Sequence, residues 1–333
     1  MRALLLTGPR VVDQSPLALT EVPAPQPGPG QVRLQIRCCA ICHTDLHIVE
    51  GDLPLPKLPI IPGHQIVGVI DAVGGAVHQL KVGDRVGVPW LHSTDGTCQF
   101  CLAGNENLCE QARFTGYHVD GGYAEYCVAD AKSAYLLPAA FSAEHAAPLL
   151  CAGVIGFRAY RLSRVKPGQR LGLYGFGASA HLVLQLARFQ GCEVYVFTRG
   201  AGHRKVAEDL GAAWTGSGDD SPPHPLDASI IFAPAGSLVP LALRVLRKGG
   251  VLALAGITMS PIPALNYELL YHERVVCSVA NSTRGDCREF LRQAAEIPIR
   301  PRIQLYPLAD ANRALQDLKH SRLEAAAVLE TSN

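Results

Sequence analysis

The chain has 333 residues, of which 48% are hydrophobic and 18% charged, and its formal net charge is +1. That length suggests two domains, each able to bury its own core, and so small a charge excess argues against nucleic acid or an anionic membrane as the main partner. The opening MRALLLTGPR is too short an apolar run for a signal peptide, and no stretch approaches ~20 uninterrupted apolar residues, so a cytoplasmic location is expected.

Residues 3–7 form an apolar start, and the rigid Pro/Gly run EVPAPQPGPG separates it from QVRLQIRCCA. In that second segment Val32, Leu34 and Ile36 alternate with Arg33, Gln35 and Arg37, the period of a half-buried strand. Cys42 follows just past the strand end, with His43, Thr44, Asp45 and His47 behind it and His64 closing the stretch. A thiolate and an imidazole suit zinc, but a catalytic zinc takes three protein ligands and leaves a fourth position open. The third must come from elsewhere, and Cys151 in PLLCAG is the best choice.

Residues 66–90 continue as strands rich in glycine and β-branched residues, which makes the first region a compact β-rich domain. In DGTCQFCLAGNENLC, Cys98, Cys101 and Cys109 follow a structural-zinc spacing. Asp95 can supply the fourth ligand; the alternative is a loop of free cysteines. GGYAEYCVAD reads as a strand, and a helix is expected from about Ser142.

From Gly168 the pattern changes to strand, glycine turn, helix, strand. Gly175, Gly177 and Ala180 fit G-x-G-x-x-A between a strand and a helix, a dinucleotide fingerprint when set in a βαβ unit. Gly175 permits the tight turn, and Gly177 lets backbone approach a pyrophosphate at the helix N-terminus. The alternation continues with helices at 203–210, 236–246, 286–295 and 308–319. Strands are expected near 213–214, 228–232, 251–254, 274–279 and 325–329, with KGG at 248–250 as a helix stop and 216–225 as a loop.

Taken together, CHTDLH, PGHQIVGVI, VGDRV, CQFCLAGNENLC, GYHVDGGYAEY, PLLCAGV and GFGASAH resemble the zinc-dependent alcohol dehydrogenases of the medium-chain dehydrogenase/reductase superfamily, in family order and across essentially the whole chain. The resemblance implies an α/β protein. A GroES-like, β-rich catalytic domain would span residues 1–150, a doubly wound Rossmann coenzyme domain 151–285, and a segment returning to the catalytic domain 286–333. It implies Cys42, His64 and Cys151 as catalytic zinc ligands and Asp45 as the carboxylate that orients the ligand histidine. It also implies Thr44 and His47 as a proton relay, His43 beside the coenzyme pyrophosphate, and Leu53 and Trp90 in an apolar substrate pocket. The implied reaction moves a hydride between a primary or aromatic alcohol, or its aldehyde, and a nicotinamide. Family members are dimers or tetramers, so a homodimer or homotetramer joined through the strand near 274–279 is expected.

Three departures from the family pattern carry consequences. Gln65 stands where a glutamate usually follows the ligand histidine; the lost charge implies a stronger Lewis acid with slower ligand exchange. Asp95 stands where the structural lobe normally has its first cysteine. Thr198, followed by Arg199, replaces the acidic residue that binds the ribose 2′-hydroxyl, which favours NADP over NAD. The competing readings are a non-catalytic dinucleotide- or zinc-binding protein on this fold and a zinc-free quinone or enone reductase, which would lack the ligand set.

Overall fold

The computed structural model describes residues 1–323 and 326–331. In chain order the strands are β1 (Arg2–Leu6), β2 (Leu17–Glu21), β3 (Gln31–Ala40), β4 (Gln65–Val73), β5 (Arg85–Val88), β6 (Leu91–Ser93), β7 (Arg113–Phe114), β8 (Tyr126–Asp130), β9 (Tyr135–Leu136), β10 (Arg170–Tyr174), β11 (Glu193–Phe197), β12 (Trp214–Gly216), β13 (Leu226–Ile231), β14 (Leu246–Leu254), β15 (Val275–Ser278), β16 (Ile303–Pro307) and β17 (Ala326–Glu330). The helices are α1 (His43–Glu50), α2 (Gln99–Leu102), α3 (Ala143–Ala146), α4 (Ala152–Leu162), α5 (Ala178–Phe189), α6 (Ala201–Asp209), α7 (Leu238–Val245), α8 (Arg284–Glu296) and α9 (Ala311–Lys319).

The chain forms two compact units. One holds Met1–Cys151, Thr283–Ala295 and the described residues from Pro301 onward; the other holds Ala152–Ser282 and Glu296–Arg300. The first is built on a sheet ordered β16-β17-β3-β4-β5-β9, with β8 also paired to β3. Val32, Leu34 and Ile36 are buried along β3, as the alternation predicts, while Arg33 lies over the Tyr126 ring and pairs with Asp71 at 2.9 Å. The core beneath joins Leu4, Leu34, Ile48, Ile66, Tyr123 and Leu315.

The second unit is a parallel sheet ordered β12-β11-β10-β13-β14-β15. This is the doubly wound arrangement, in which ligands bind beyond the carboxyl ends of the strands where the order reverses, here at β10 and β13. Leu171, Leu173, Val194, Val196 and Ile230 are fully buried and meet Ala180, Val183 and Leu184 of α5 on one face. Tyr174, Phe197, Leu226 and Leu243 pack on the other, with Tyr174 and Phe197 stacked at 4.1 Å.

The structure differs from the sequence reading in several elements. α1 starts directly at His43, where no helix is expected from the polar run. GGYAEYCVAD is a strand only over Tyr126–Asp130. KGG at 248–250 does not stop a helix: α7 has already ended at Val245, and the three residues lie within β14. There Gly249 takes a positive φ of 69° and donates its N–H to His272 O. β16 is an additional strand, parallel to β17. The last strand is Ala326–Glu330, and Ala325, where the sequence places its start, lies outside the described residues.

Candidate functional site

α1 explains how Cys42 and Asp45 come to face each other. Cys42 is the N-cap, its sulfur accepts the Thr44 N–H at 3.4 Å, and the Asp45 carboxylate reaches back to the Cys42 N–H at 2.9 Å. The two residues satisfy helix-end donors reciprocally, as a capping box does. The other Asp45 oxygen meets His64 Nδ1 at 2.9 Å, with both side chains fully buried. A carboxylate there only accepts, so Nδ1 carries a proton, and Nε2 is the ring nitrogen turned toward the sulfurs.

His64 is set in place by its own neighbours. Gly63 has a φ of 98°, and a Cβ on it would lie 2.4 Å from the Tyr123 ring. Tyr123 N–H and Gly122 N–H donate to Pro62 O and Gly63 O at 3.0 and 2.9 Å, which ties the segment before His64 to that loop.

Cys42 Sγ lies 3.4 Å from His64 Nε2 and 4.0 Å from Cys151 Sγ, and the ligand atoms of the three residues all fall within 4.8 Å of one another. Tetrahedral zinc with ordinary Zn–S and Zn–N bonds would separate two sulfurs by ~3.8 Å and a sulfur from a nitrogen by ~3.6 Å. The donor set therefore fits such an ion with little movement. The contact with Cys151 draws the Cys42 thiol well below its usual range, against the effect of burial, and His64 assists. The same contact, with burial, pushes Cys151 up. Burial works against charge on His64, but the Asp45 carboxylate and Cys42 sulfur outweigh it and raise the imidazole to about 10.

Around this group the sequence-predicted residues are placed as follows. Thr44 is buried on the first turn of α1; His43 beside it is exposed, its imidazole lowered by desolvation from the surrounding side chains. His47, one turn on, meets Asp52 Oδ2 through Nδ1 at 2.7 Å. Trp90 stacks on Phe114 at 4.4 Å, with its ring 6.1 Å from that of His64. Leu53 is half-buried against the core, and its backbone N–H points to His47 O at 3.5 Å. Gln65 is 1% exposed, and its Nε2 has no hydrogen-bond partner among the described residues. Asp52, Phe114 and Tyr123 are not singled out by sequence, because only the fold brings them to the ligand-bearing segments.

Asp95, Cys98, Cys101 and Cys109 form a second group, also with ligand atoms within 4.8 Å of one another. Asp95 Oδ1 accepts the N–H groups of Cys98 and Thr97 at 3.0 and 2.8 Å, which hold its carboxyl well below the usual range. Burial pushes Cys109 up to about 11. Three sulfurs and one carboxylate oxygen are an acceptable zinc set.

In the second unit Gly175 turns the chain at a φ of 83°, and a Cβ there would meet Ala233 N at 3.0 Å. Gly177 is the N-cap of α5 and has no side-chain cap; a Cβ on it would meet nothing within 4 Å. The first N–H groups of α5 thus face an open cradle of the kind a pyrophosphate fills. Ala180 is fully buried in the helix–sheet contact. Thr198 is buried at the end of β11, its N–H on Gly216 O at 2.7 Å and its carbonyl taking Arg204 Nε at 3.0 Å. Arg199 beside it is exposed and makes no ion pair among the described residues.

The comparisons agree with this geometry. Residues 28–139 match the model of the alcohol dehydrogenase GroES-like domain, and residues 180–296 that of the zinc-binding dehydrogenase domain. The chain is 47% identical to a "Probable alcohol dehydrogenase AdhA" of Mycobacterium tuberculosis (strain CDC 1551 / Oshkosh), over 99% of this chain and 97% of the relative. It superposes on the cobalt- and zinc-bound thermostable alcohol dehydrogenase of Pyrobaculum aerophilum with a TM-score of 0.90 and 27% identity, covering 99% of both chains. It also superposes on CAD from Helicobacter pylori complexed with NADP(H), with a TM-score of 0.87 and 26% identity over 99% of both chains. The chain belongs to the zinc-binding alcohol dehydrogenase family, with a GroES-like domain and a Rossmann-type domain.

Proposed function

We propose that this chain oxidises primary or aromatic alcohols, or reduces the corresponding aldehydes, with zinc at Cys42, His64 and Cys151 and a nicotinamide coenzyme. The observation that carries the reading is the convergence of two sulfurs and an imidazole nitrogen, with Asp45 behind the imidazole. Bound zinc supplies Lewis acidity toward a substrate oxygen. Bound nicotinamide supplies the hydride acceptor or donor. The chain's own residues orient and relay. Asp45 fixes the His64 tautomer, Thr44 takes the hydroxyl proton, and His47, held by Asp52, passes it outward. Trp90 and Leu53 form an apolar wall for the substrate carbon chain. Buried Gln65 in place of an acid leaves the metal's charge less compensated.

The same reading assigns a structural zinc to Asp95, Cys98, Cys101 and Cys109. It assigns the coenzyme pyrophosphate to Gly175, Gly177 and the start of α5. NADP is favoured over NAD, because Thr198 leaves the β11 end without a carboxylate and Arg199 is unpaired. Arg204 adds less than its charge suggests, since it already braces Thr198 O and Ser217 Oγ. The half-exposed edge strand β15, with Tyr267 and Tyr271 exposed before it, suits a homodimer or homotetramer. No helix among the described residues is long and apolar enough to cross a membrane, and cysteines without disulfides suit the cytoplasm.

The test is a panel of primary, secondary and aromatic alcohols assayed with NAD and NADP on zinc-quantified protein. Turnover of primary or aromatic alcohols with a higher kcat/KM for NADP supports the reading. Zinc-replete protein inert toward the whole panel would sink it, and a higher kcat/KM for NAD would overturn the coenzyme assignment alone.

A further inference from the structure

A second cavity in the Rossmann unit has no part in the proposed reaction. It is an open recess of about 470 Å³ where β13 and β14 begin. Cations dominate its wall: Arg244 at the end of α7, Arg247 and Lys248 on β14, and Arg274 just before β15, with His224 beside them. One carboxylate, Asp227, pairs with Arg247, and its other oxygen takes the Arg170 N–H. Arg244, Lys248 and Arg274 have no carboxylate partner among the described residues. In a chain whose net charge is only +1, three uncompensated cations around one recess are a local concentration rather than a general property.

Arg274 shows that part of this wall is preorganised. Its Nε donates to Leu246 O at 2.9 Å, and its Nη1 to Leu269 O and Glu268 O at 3.3 and 3.4 Å. Three carbonyls fix the guanidinium plane without neutralising it and leave Nη2 unused. A guanidinium held this way offers a planar, fully charged donor edge at little entropic cost, which suits phosphate oxygens. Pro222 and Pro225 stiffen the facing loop. Asp220, just before the lining residue Ser221, takes the Ser217 N–H at 2.7 Å.

The recess is not the coenzyme cradle. The cradle follows the carboxyl end of β10, whereas this recess lies at the amino ends of the adjoining strands, a strand length of about 16 Å away. We infer that the recess formed by Arg244, Lys248 and Arg274 binds a small molecule carrying two or more phosphate charges. One phosphate dianion would leave three cations under-compensated, while a bisphosphate or pyrophosphate matches them, and the volume suits a ligand of that size. The cations ring a single recess rather than a stripe, which does not suit a nucleic acid.

The test uses the full-length protein saturated with coenzyme, so that the cradle is filled. Inorganic pyrophosphate is titrated by calorimetry at constant ionic strength, on the parent and on the Arg244→Gln/Lys248→Gln variant. Both side chains are exposed, so the variant should fold, and an unchanged melting temperature checks that. The expected result is a saturable site on the parent that weakens about tenfold or more in the variant. No saturable binding to the coenzyme-saturated parent, or the same isotherm in both proteins, would overturn the inference.

Discussion

Replacing Asp45 by Asn should loosen the metal site without greatly changing its shape. The carboxylate is fully buried and accepts two donors at 2.9 Å, the Cys42 N–H and the His64 Nδ1–H. An amide retains one acceptor oxygen, so one of these bonds survives at neutral strength. The other donor would face an NH2 group. Each charge-assisted bond contributes about 1.5–3 kcal/mol, and a buried donor left unpaired costs about 1–3 kcal/mol. The amide can instead donate to Nδ1, but only if the imidazole proton moves to Nε2, the nitrogen that faces the sulfurs and must be bare to bind zinc. Either outcome weakens the site, and the loss expected for a ligand-orienting partner is about 10–100-fold in zinc affinity. Zinc transfer to a chromogenic chelator, followed on parent and Asp45→Asn protein, measures this. Asp52→Asn serves as the control, since Asp52 meets His47 rather than a ligand. Equal zinc retention in parent and Asp45→Asn would refute the role given to the buried carboxylate.

Other predictions follow from separate parts of the structure. Asp95→Ala should lower the zinc content from about two per chain to about one, and Asp95→Cys should restore it, as read by metal analysis. Gly63→Ala should destabilise the fold by about 2–4 kcal/mol, combining left-handed strain with overpacking against Tyr123, and should shed zinc; an unchanged urea midpoint would contradict this. Glu125 is held below the usual carboxylate range by the Arg2 N–H and guanidinium. Because its folded value is depressed, its stabilisation is present above the unfolded carboxyl range near ~4.3 and is lost as pH falls through the folded value. Glu125→Gln should therefore flatten the acid limb of urea stability, while the parent loses this part of its stability on acidification.

How much the sequence revealed depended on how local each signal was. β3 and β10 carry their pattern in adjacent residues, through the Val32-Leu34-Ile36 alternation and the apolar run ahead of Gly175. α1 was not legible, because its first turn is polar and its cap is a cysteine, a residue that ordinarily says nothing about helix starts. KGG at 248–250 misled because a glycine pair after a helix usually ends it, whereas here the positive φ of Gly249 is spent inside a strand. β16 escaped notice because its alternation is largely exposed. Cys151 stands out in sequence as a third ligand for Cys42 and His64, but only the family resemblance implies the complete set. Long separations in sequence leave no periodic trace, and the folding of Cys151 onto the first unit is what brings its sulfur within 4.0 Å of Cys42. Asp52 and Phe114 lie in no motif, and Tyr123 lies in GYHVDGGYAEY without a role legible there; all three become visible only as neighbours.

The central claim is that Cys42, His64 and Cys151 hold the zinc on which alcohol oxidation depends. The most direct measurement is zinc content together with alcohol turnover in Cys151→Ala. The account predicts the loss of about one zinc per chain and a fall in kcat of several orders of magnitude, with the Asp95 group still loaded. A Cys151→Ala protein that keeps its full zinc content, or that keeps parental turnover after losing the metal, would contradict it.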